Sequence, residues 1–313
     1  MRYIITSAVA TLLALPAQAE VPRVVTDFAP AAGLVATVMG DLGQPEMLLG
    51  QGANAHDFQL RPSQSASLQD ADLVVWIGPR MSPWLDRVLT GFGDLRQMRL
   101  LDVPGTHLQD FGDTAAHDHD HDHDPAPAGD DHDDHDDHAH EGLDPHAWLD
   151  PSNGALWLDA IATELARLDP DHAADYAANA ARGRAEIAAA DARIAARLGP
   201  VQGQPFVVFH DAYGYFAAHY GLTVAGSVSL GDATAPGAAH LRALQDQAGA
   251  SARCLFPETV HDPKLLVQMA ETTGLRLGGA LDPEGMAQGG GAGAYTGTLE
   301  ALADTLAACL SGA

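Results

Sequence analysis

The feature that most constrains this chain is an unbroken, Ala-rich stretch at residues 171–198. It has a good helix former at most positions and is stopped by Gly199-Pro200. At 1.5 Å per residue such a helix spans about 40 Å. It sits mid-chain, between two stretches that alternate short apolar runs with helix-like segments. Before it, 23–28 and 71–78 read as strands, 98–103 as a further strand, and 31–42 and 155–168 as helices. After it, 206–209, 222–225, 254–256 and 275–281 read as strands, and 263–273 and 299–310 as helices. The run Ala71-Asp-Leu-Val-Val-Trp-Ile-Gly78 is nearly continuous in apolar residues, as in a parallel strand covered on both faces. The expected fold is α/β: two lobes, each a parallel sheet flanked by helices, joined by one long rigid helix.

The N-terminus has a different character. Arg2 is followed by an apolar run and then Ala17-Gln18-Ala19, the layout of a secretory signal peptide cleaved after residue 19. The apolar run is too short for a membrane span, and no Cys follows it for lipid attachment. An exported, periplasmic chain is expected. Its organisation then reads as signal peptide 1–19, N-terminal lobe 20–169, connecting helix 170–200 and C-terminal lobe 201–313. The formal net charge of −26 argues against nucleic-acid and anionic-membrane partners and suits a cationic ligand. Two cysteines, Cys254 and Cys309, read in an exported chain as one disulfide. Two free thiols or two metal ligands are the alternatives.

Residues 114–142 break the α/β alternation inside the first lobe. His117, His119, His121 and His123 alternate strictly with Asp, and His132, His135, His138 and His140 follow. With almost no apolar residue to bury, this segment is expected to be a mobile loop. Its imidazoles and carboxylates suit weak, multiple and exchangeable Zn²⁺ binding; an acidic solvated linker is the plainer alternative.

Eight histidines lie elsewhere, and three stand where strands give way to loops, the place where open α/β sheets gather ligands. His56 lies in the turn-rich Gly52-Ala-Asn-Ala-His56-Asp-Phe58. His146 lies between prolines in Asp144-Pro-His146-Ala-Trp148-Leu-Asp150-Pro151. His210 follows the apolar run 206–209. Neutral imidazole suits Zn²⁺, and three imidazoles leave a fourth position open. A hydrogen-bonded core or surface histidine is the ordinary alternative for each. Asp57, Asp150 and Asp211 are candidates to orient the imidazoles, or to cap helices and turns.

These segments, with Phe209-His210-Asp211-Ala-Tyr213-Gly-Tyr215-Phe216 and Leu281-Asp282-Pro283, resemble the motifs of zinc ABC transporter solute-binding proteins of the periplasmic high-affinity uptake type. The resemblance covers essentially the whole mature chain, including the His/Asp-rich loop and the two late cysteines. It implies that His56, His146 and His210 bind Zn²⁺, with Asp282 or a water as the fourth ligand. Asp282 also reads as a turn residue before Pro283. Some zinc members carry a Glu just before the first His, where this chain has Ala55. Manganese-type relatives place a carboxylate where His210 stands, so the three-histidine set selects zinc. The implied role is to deliver zinc to an inner-membrane ABC permease with its ATPase, as a monomer, with periplasmic zinc chaperones as further partners. A manganese- or iron-binding relative and a periplasmic zinc buffer are the alternatives. A zinc hydrolase is the rival from another class, but no His-Glu-x-x-His pattern is present. No catalytic residue is expected.

Overall fold

The unbroken apolar runs become strands buried on both faces. In the computed structural model, which describes residues 20–112, 142–229 and 236–312, β1 (Val24–Thr26) and β3 (Leu73–Trp76) are buried at every position. They join β2 (Glu46–Met47) and β4 (Gln97–Arg99) in a parallel sheet of order β2-β1-β3-β4. The second sheet holds β5 (Phe206–His210), β6 (Val224–Ser229), β7 (Cys254–Phe256) and β8 (Arg276–Leu277), also parallel, in order β6-β5-β7-β8. The two sheets thus repeat one topology, with the first strand of each unit inside the sheet. The expected signal peptide, residues 1–19, and the eight histidines between 117 and 140 lie outside the described residues. No helix among the described residues is long and apolar enough to cross a membrane.

Helices cover the sheets. In the first half these are α1 (Ala29–Met39), α2 (Pro62–Gln69), α3 (Pro83–Leu89) and α4 (Pro151–Leu168). The long helix is α5 (Ala173–Leu198, 26 residues), entered through a 3₁₀ turn at Pro170–His172. The second half adds α6 (Gly214–Tyr220), α7 (Ala238–Ser251), α8 (Lys264–Thr273) and α9 (Ala294–Leu310).

The buried residues of α5, including Tyr176, Ala180, Gly183, Ile187, Ala190, Ile194 and Leu198, recur every three or four positions and form one stripe. Its first half packs on the N-terminal elements. The Asn179 amide donates to the Val38 carbonyl at 2.8 Å. A Cβ at Gly183 would stand 2.6 Å from Thr37 Cγ2 and 2.8 Å from Leu158 Cδ1, so only glycine permits this approach. Its second half runs beside α9, where Arg193 pairs with Glu300 and Arg197 with Asp304, both at 2.6 Å. Those exposed pairs contribute little stability; the buried stripe holds the helix to both halves and makes it a stiff connector.

One apolar core runs through both sheets, taking Phe206 and Val208 from β5 and Phe256 from β7. Val207 and Leu255 point the other way, into a second cluster with Leu244, Leu266 and Met269 beneath α7 and α8. Cys254 of β7 and Cys309 of α9 form a disulfide across a sequence separation of 55 residues. On the loop-entropy model a cross-link of that span contributes roughly 4 kcal/mol.

Strand boundaries differ from the sequence expectation in several places. The strand expected at 222–225 runs over Val224–Ser229, the runs 23–28 and 71–78 pair only over Val24–Thr26 and Leu73–Trp76, and two further runs are cut short. The run at 98–103 gives way after Arg99 to a 3₁₀ turn at Leu100–Asp102, because Leu100 and Leu101 bury in the core. The run at 275–281 pairs only at Arg276–Leu277 and again at a single bridge, Leu281 with Glu258. Between them Gly278 lies so close to Phe256 that a Cβ would stand 2.4 Å from the ring.

Asp150 opens α4 by accepting the Ser152 N–H at 2.8 Å. It also faces His107 at 2.8 Å and His219 of α6 at 3.4 Å, and His219 Nε2 meets Asp191 of α5 at 2.9 Å. Hydrogen bonding to Asp150, against a smaller opposing effect of burial and with help from Asp191, raises the His219 pKa above its ordinary value. A raised imidazole pKa adds stability that is complete below the unfolded value near 6.5 and fades as pH climbs through the folded one. His219→Ala is therefore expected to lower the melting temperature more at pH 6 than at pH 9. Equal losses at both pH values in thermal melts would contradict this linkage.

Candidate metal centre

In both sheets, the segments leaving the C-terminal ends of the strands carry the polar side chains. His56 lies after β2, His146 after β4, His210 at the end of β5, Glu258 after β7, and Asp282 and Glu284 after β8. Open parallel sheets collect ligands at that edge, and here two such edges supply one site.

Each imidazole is held by its own local device. The His56 loop is pinned from both sides: Asn54 Oδ1 accepts the His56 N–H at 2.8 Å, and Trp84 Nε1 donates to the Ala55 carbonyl at 2.7 Å. Asp144 Oδ1 accepts the His146 N–H at 2.9 Å and faces its Nδ1 at 2.7 Å. Residues of the second half clamp this segment. Tyr215 donates to the Asp144 carbonyl at 2.9 Å, Tyr295 donates to the Trp148 carbonyl at 2.8 Å, and Trp148 Nε1 donates to the Pro283 carbonyl at 2.8 Å. Glu258 Oε2 faces His210 Nδ1 at 2.6 Å, while Tyr213 donates to Glu258 Oε1 at 2.9 Å.

The three imidazoles converge, with one ligand atom from each lying within 4.8 Å of the others. Ring centroids are 5.3 Å apart for His146–His210, 5.4 Å for His56–His146 and 6.1 Å for His56–His210. Three imidazoles bound tetrahedrally at 2.0–2.1 Å would place their centroids about 5 Å apart. The donor set therefore fits a Zn²⁺ ion with little movement. The Nε2 atoms of all three are buried. Because carboxylates take the Nδ1 side of His146 and His210, Nε2 is the nitrogen these two turn to the centre.

Electrostatics favour the neutral, ligating form of His56. Burial, and then the neighbouring charges of His146, His210 and His261, hold its pKa well below the ordinary imidazole value. Burial opposes charge on Glu258 as well, but the His210 charge and the hydrogen bonds from His210 and Tyr213 outweigh it and lower its pKa. Glu284, wholly enclosed close by, is raised to about 7 by burial, which the charge of His210 offsets only in part.

Asp282 is placed differently from the three histidines. It is not gathered into their cluster. Its two oxygens accept the N–H groups of Met286 at 3.1 Å and Ala287 at 2.8 Å, which closes the turn after β8. Of the aspartates considered as orienting groups, Asp150 instead engages His107 and His219.

The orienting carboxylates are Asp144 and Glu258. The Asp-x-His spacing of Asp144 and His146 was a usable signal for the first. Glu258 had none in the sequence, since it meets His210 only because β5 and β7 pair Val208 with Phe256 and both chains continue two residues further.

Fold and site together define a two-lobed α/β protein with a cluster of three imidazoles, able to hold a metal ion, between facing sheet edges. Residues 24–309 match the family described as "Zinc-uptake complex component A periplasmic", and the chain belongs to this ZnuA family. It is 53% identical to the high-affinity zinc uptake system protein ZnuA of Paracoccus denitrificans over 95% of this chain and 94% of that one. Identity to the protein of the same name from Brucella suis is 35%, over 92% of this chain and 91% of the relative. A solved ZnuA crystal structure shares the fold with a TM-score of 0.73 at 24% identity, covering 92% of this chain and 99% of that one.

Proposed function

We propose that this protein captures Zn²⁺ in the periplasm and delivers it to an inner-membrane ABC permease driven by its ATPase. The convergence of His56, His146 and His210 at tetrahedral spacing carries this reading, and the names of the ZnuA relatives support it. A set of three imidazoles prefers zinc to the oxygen-seeking Mn²⁺. Asp282 is not gathered with the three imidazoles, so water is the fourth ligand in this arrangement, and Asp282 joins only if the turn after β8 moves towards them. The chain acts as a monomer after removal of residues 1–19, with lobes 20–169 and 201–313 on either side of the connector 170–200. Periplasmic zinc chaperones are fitting donors. Release requires the permease to favour a form of the protein that binds zinc less well, because a partner shifts states only through differential affinity.

The same reading makes the protein a carrier and not a hydrolase. The carboxylates beside the ligands, Asp144 and Glu258, meet their imidazoles at Nδ1, on the side away from the centre, which leaves them poorly placed to activate a water bound there. Zinc titration of the mature chain beside a variant lacking residues 115–140 tests the division of labour. One tight zinc is expected in both, with extra weak equivalents only where the loop is present. Equal total uptake would remove the loop from zinc binding, and absence of the tight zinc would sink the proposal.

A further inference from the structure

His210 belongs to two potential metal-binding groups. The first joins it to His56 and His146; the second joins it to Glu258 and His261, again with one ligand atom from each within 4.8 Å of the others. The Glu258 Oε2 atom lies 3.6 Å from His261 Nε2. Tetrahedral zinc ligands at 2.0–2.1 Å stand about 3.4 Å apart, so this edge is already spaced for coordination.

Each group has one partly exposed member, His56 in the first and His261 in the second, the latter with 23% of its side chain exposed, while His146, His210 and Glu258 are buried. A cleft of about 150 Å³ opens between the halves next to His261 in the chain, lined among others by Gln51 and Gly52 from one side and Thr259, Val260 and Asp282 from the other. The His261 ring is fixed in place by stacking on Phe209, with centroids 4.2 Å apart and planes 16° from parallel. Its centroid lies 5.9 Å from that of His210. A partly open imidazole beside a buried carboxylate, sharing a residue with the deep centre, has the layout of a way in.

We infer that His261 and Glu258, with His210, form an outer station for the zinc ion on its path to and from the deep centre. This rests on the zinc-carrier reading above. A neutral imidazole offers one lone pair, so His210 binds one ion at a time, through Nδ1 beside Glu258 in the outer station and through Nε2 in the deep centre. Its single proton passes to the other nitrogen by way of water, and the two stations are alternatives rather than a two-zinc site. The ion moves by stepwise ligand exchange: it takes His261 and Glu258 while shedding water, then gains His56 and His146 as it leaves them. At no stage is it stripped of all ligands, which lowers the barrier in both directions without changing the end states.

That reasoning gives the station a kinetic signature. His261→Phe keeps an aromatic ring against Phe209 and removes the ligand nitrogen. In stopped-flow experiments on the full mature chain, zinc capture and zinc loss to an excess of chromogenic chelator are followed for wild type and variant. Both rates should fall about tenfold, the scale set by losing one supporting metal contact, while their ratio shifts by less than about threefold. Unchanged rates would overturn the inference. Faster loss with unchanged capture would also overturn it, by making His261 a support of the deep centre only. A wild-type chain that takes up no tight zinc would fail the carrier reading itself, before His261 is at issue.

Discussion

His210→Ala is expected to abolish tight zinc binding at the three-imidazole cluster while leaving unchanged the weak binding proposed for residues 115–140. Three imidazoles supply the protein's share of a tetrahedral shell, so deleting one removes a third of it. Losing only an orienting partner of a metal-bound histidine costs about 10–100-fold in affinity, and losing the ligand itself should cost more. The damage is compounded because Glu258 would keep its buried position, 2% exposed, without the imidazole at 2.6 Å that stabilises its charge. The apo variant should therefore also melt below wild type, since a buried charge deprived of its partner is strongly destabilising. Competition titration against a chelator of known affinity reads the first effect, and calorimetry of the apo protein reads the second. Unaltered tight binding with a normal melt would move the metal site elsewhere in the chain.

The sequence disclosed the fold wherever the signal was long or unbroken. The apolar runs around Leu73–Trp76, Phe206–His210 and Cys254–Phe256 read as strands and are buried strands, and the Ala-rich stretch became α5 nearly to the residue. Short elements such as α2, α3 and α6, of seven or eight residues, complete about two turns and leave no period to detect. The three histidines were visible because they stand just beyond strands or between prolines, positions a chain can show locally. Their partners are less visible because they depend on pairing between distant segments. Glu258 meets His210 across 48 residues, and Tyr215 and Tyr295 reach the Asp144–Asp150 segment from 71 and 145 or more residues away. Asp282 shows the reverse case. Its motif suggested a ligand or a turn residue before Pro283, and the backbone N–H groups four and five residues on bond both its oxygens, a local pairing typical of short acidic side chains in turns.

Substitutions at Glu258 should separate the charge of this carboxylate from its geometry. Glu258→Gln can keep both contacts: the amide oxygen can accept from His210 Nδ1–H, and the amide nitrogen can donate to Tyr213, whose hydroxyl serves as donor or acceptor. What it loses is the negative charge that makes the imidazole a stronger donor to the metal. Glu258→Ala loses the contacts as well, freeing His210 to turn away from His56 and His146 and leaving Tyr213 without its acceptor at 2.9 Å. Zinc affinity should fall about tenfold for the Gln variant and about a hundredfold for the Ala variant, spanning the range known for such orienting groups. Titration of both proteins beside wild type, with circular dichroism to check the fold, reads the order directly. Equal large losses would mean that charge alone matters. If neither variant is impaired, the Glu258–His210 contact serves packing and His210 is oriented by β5 itself.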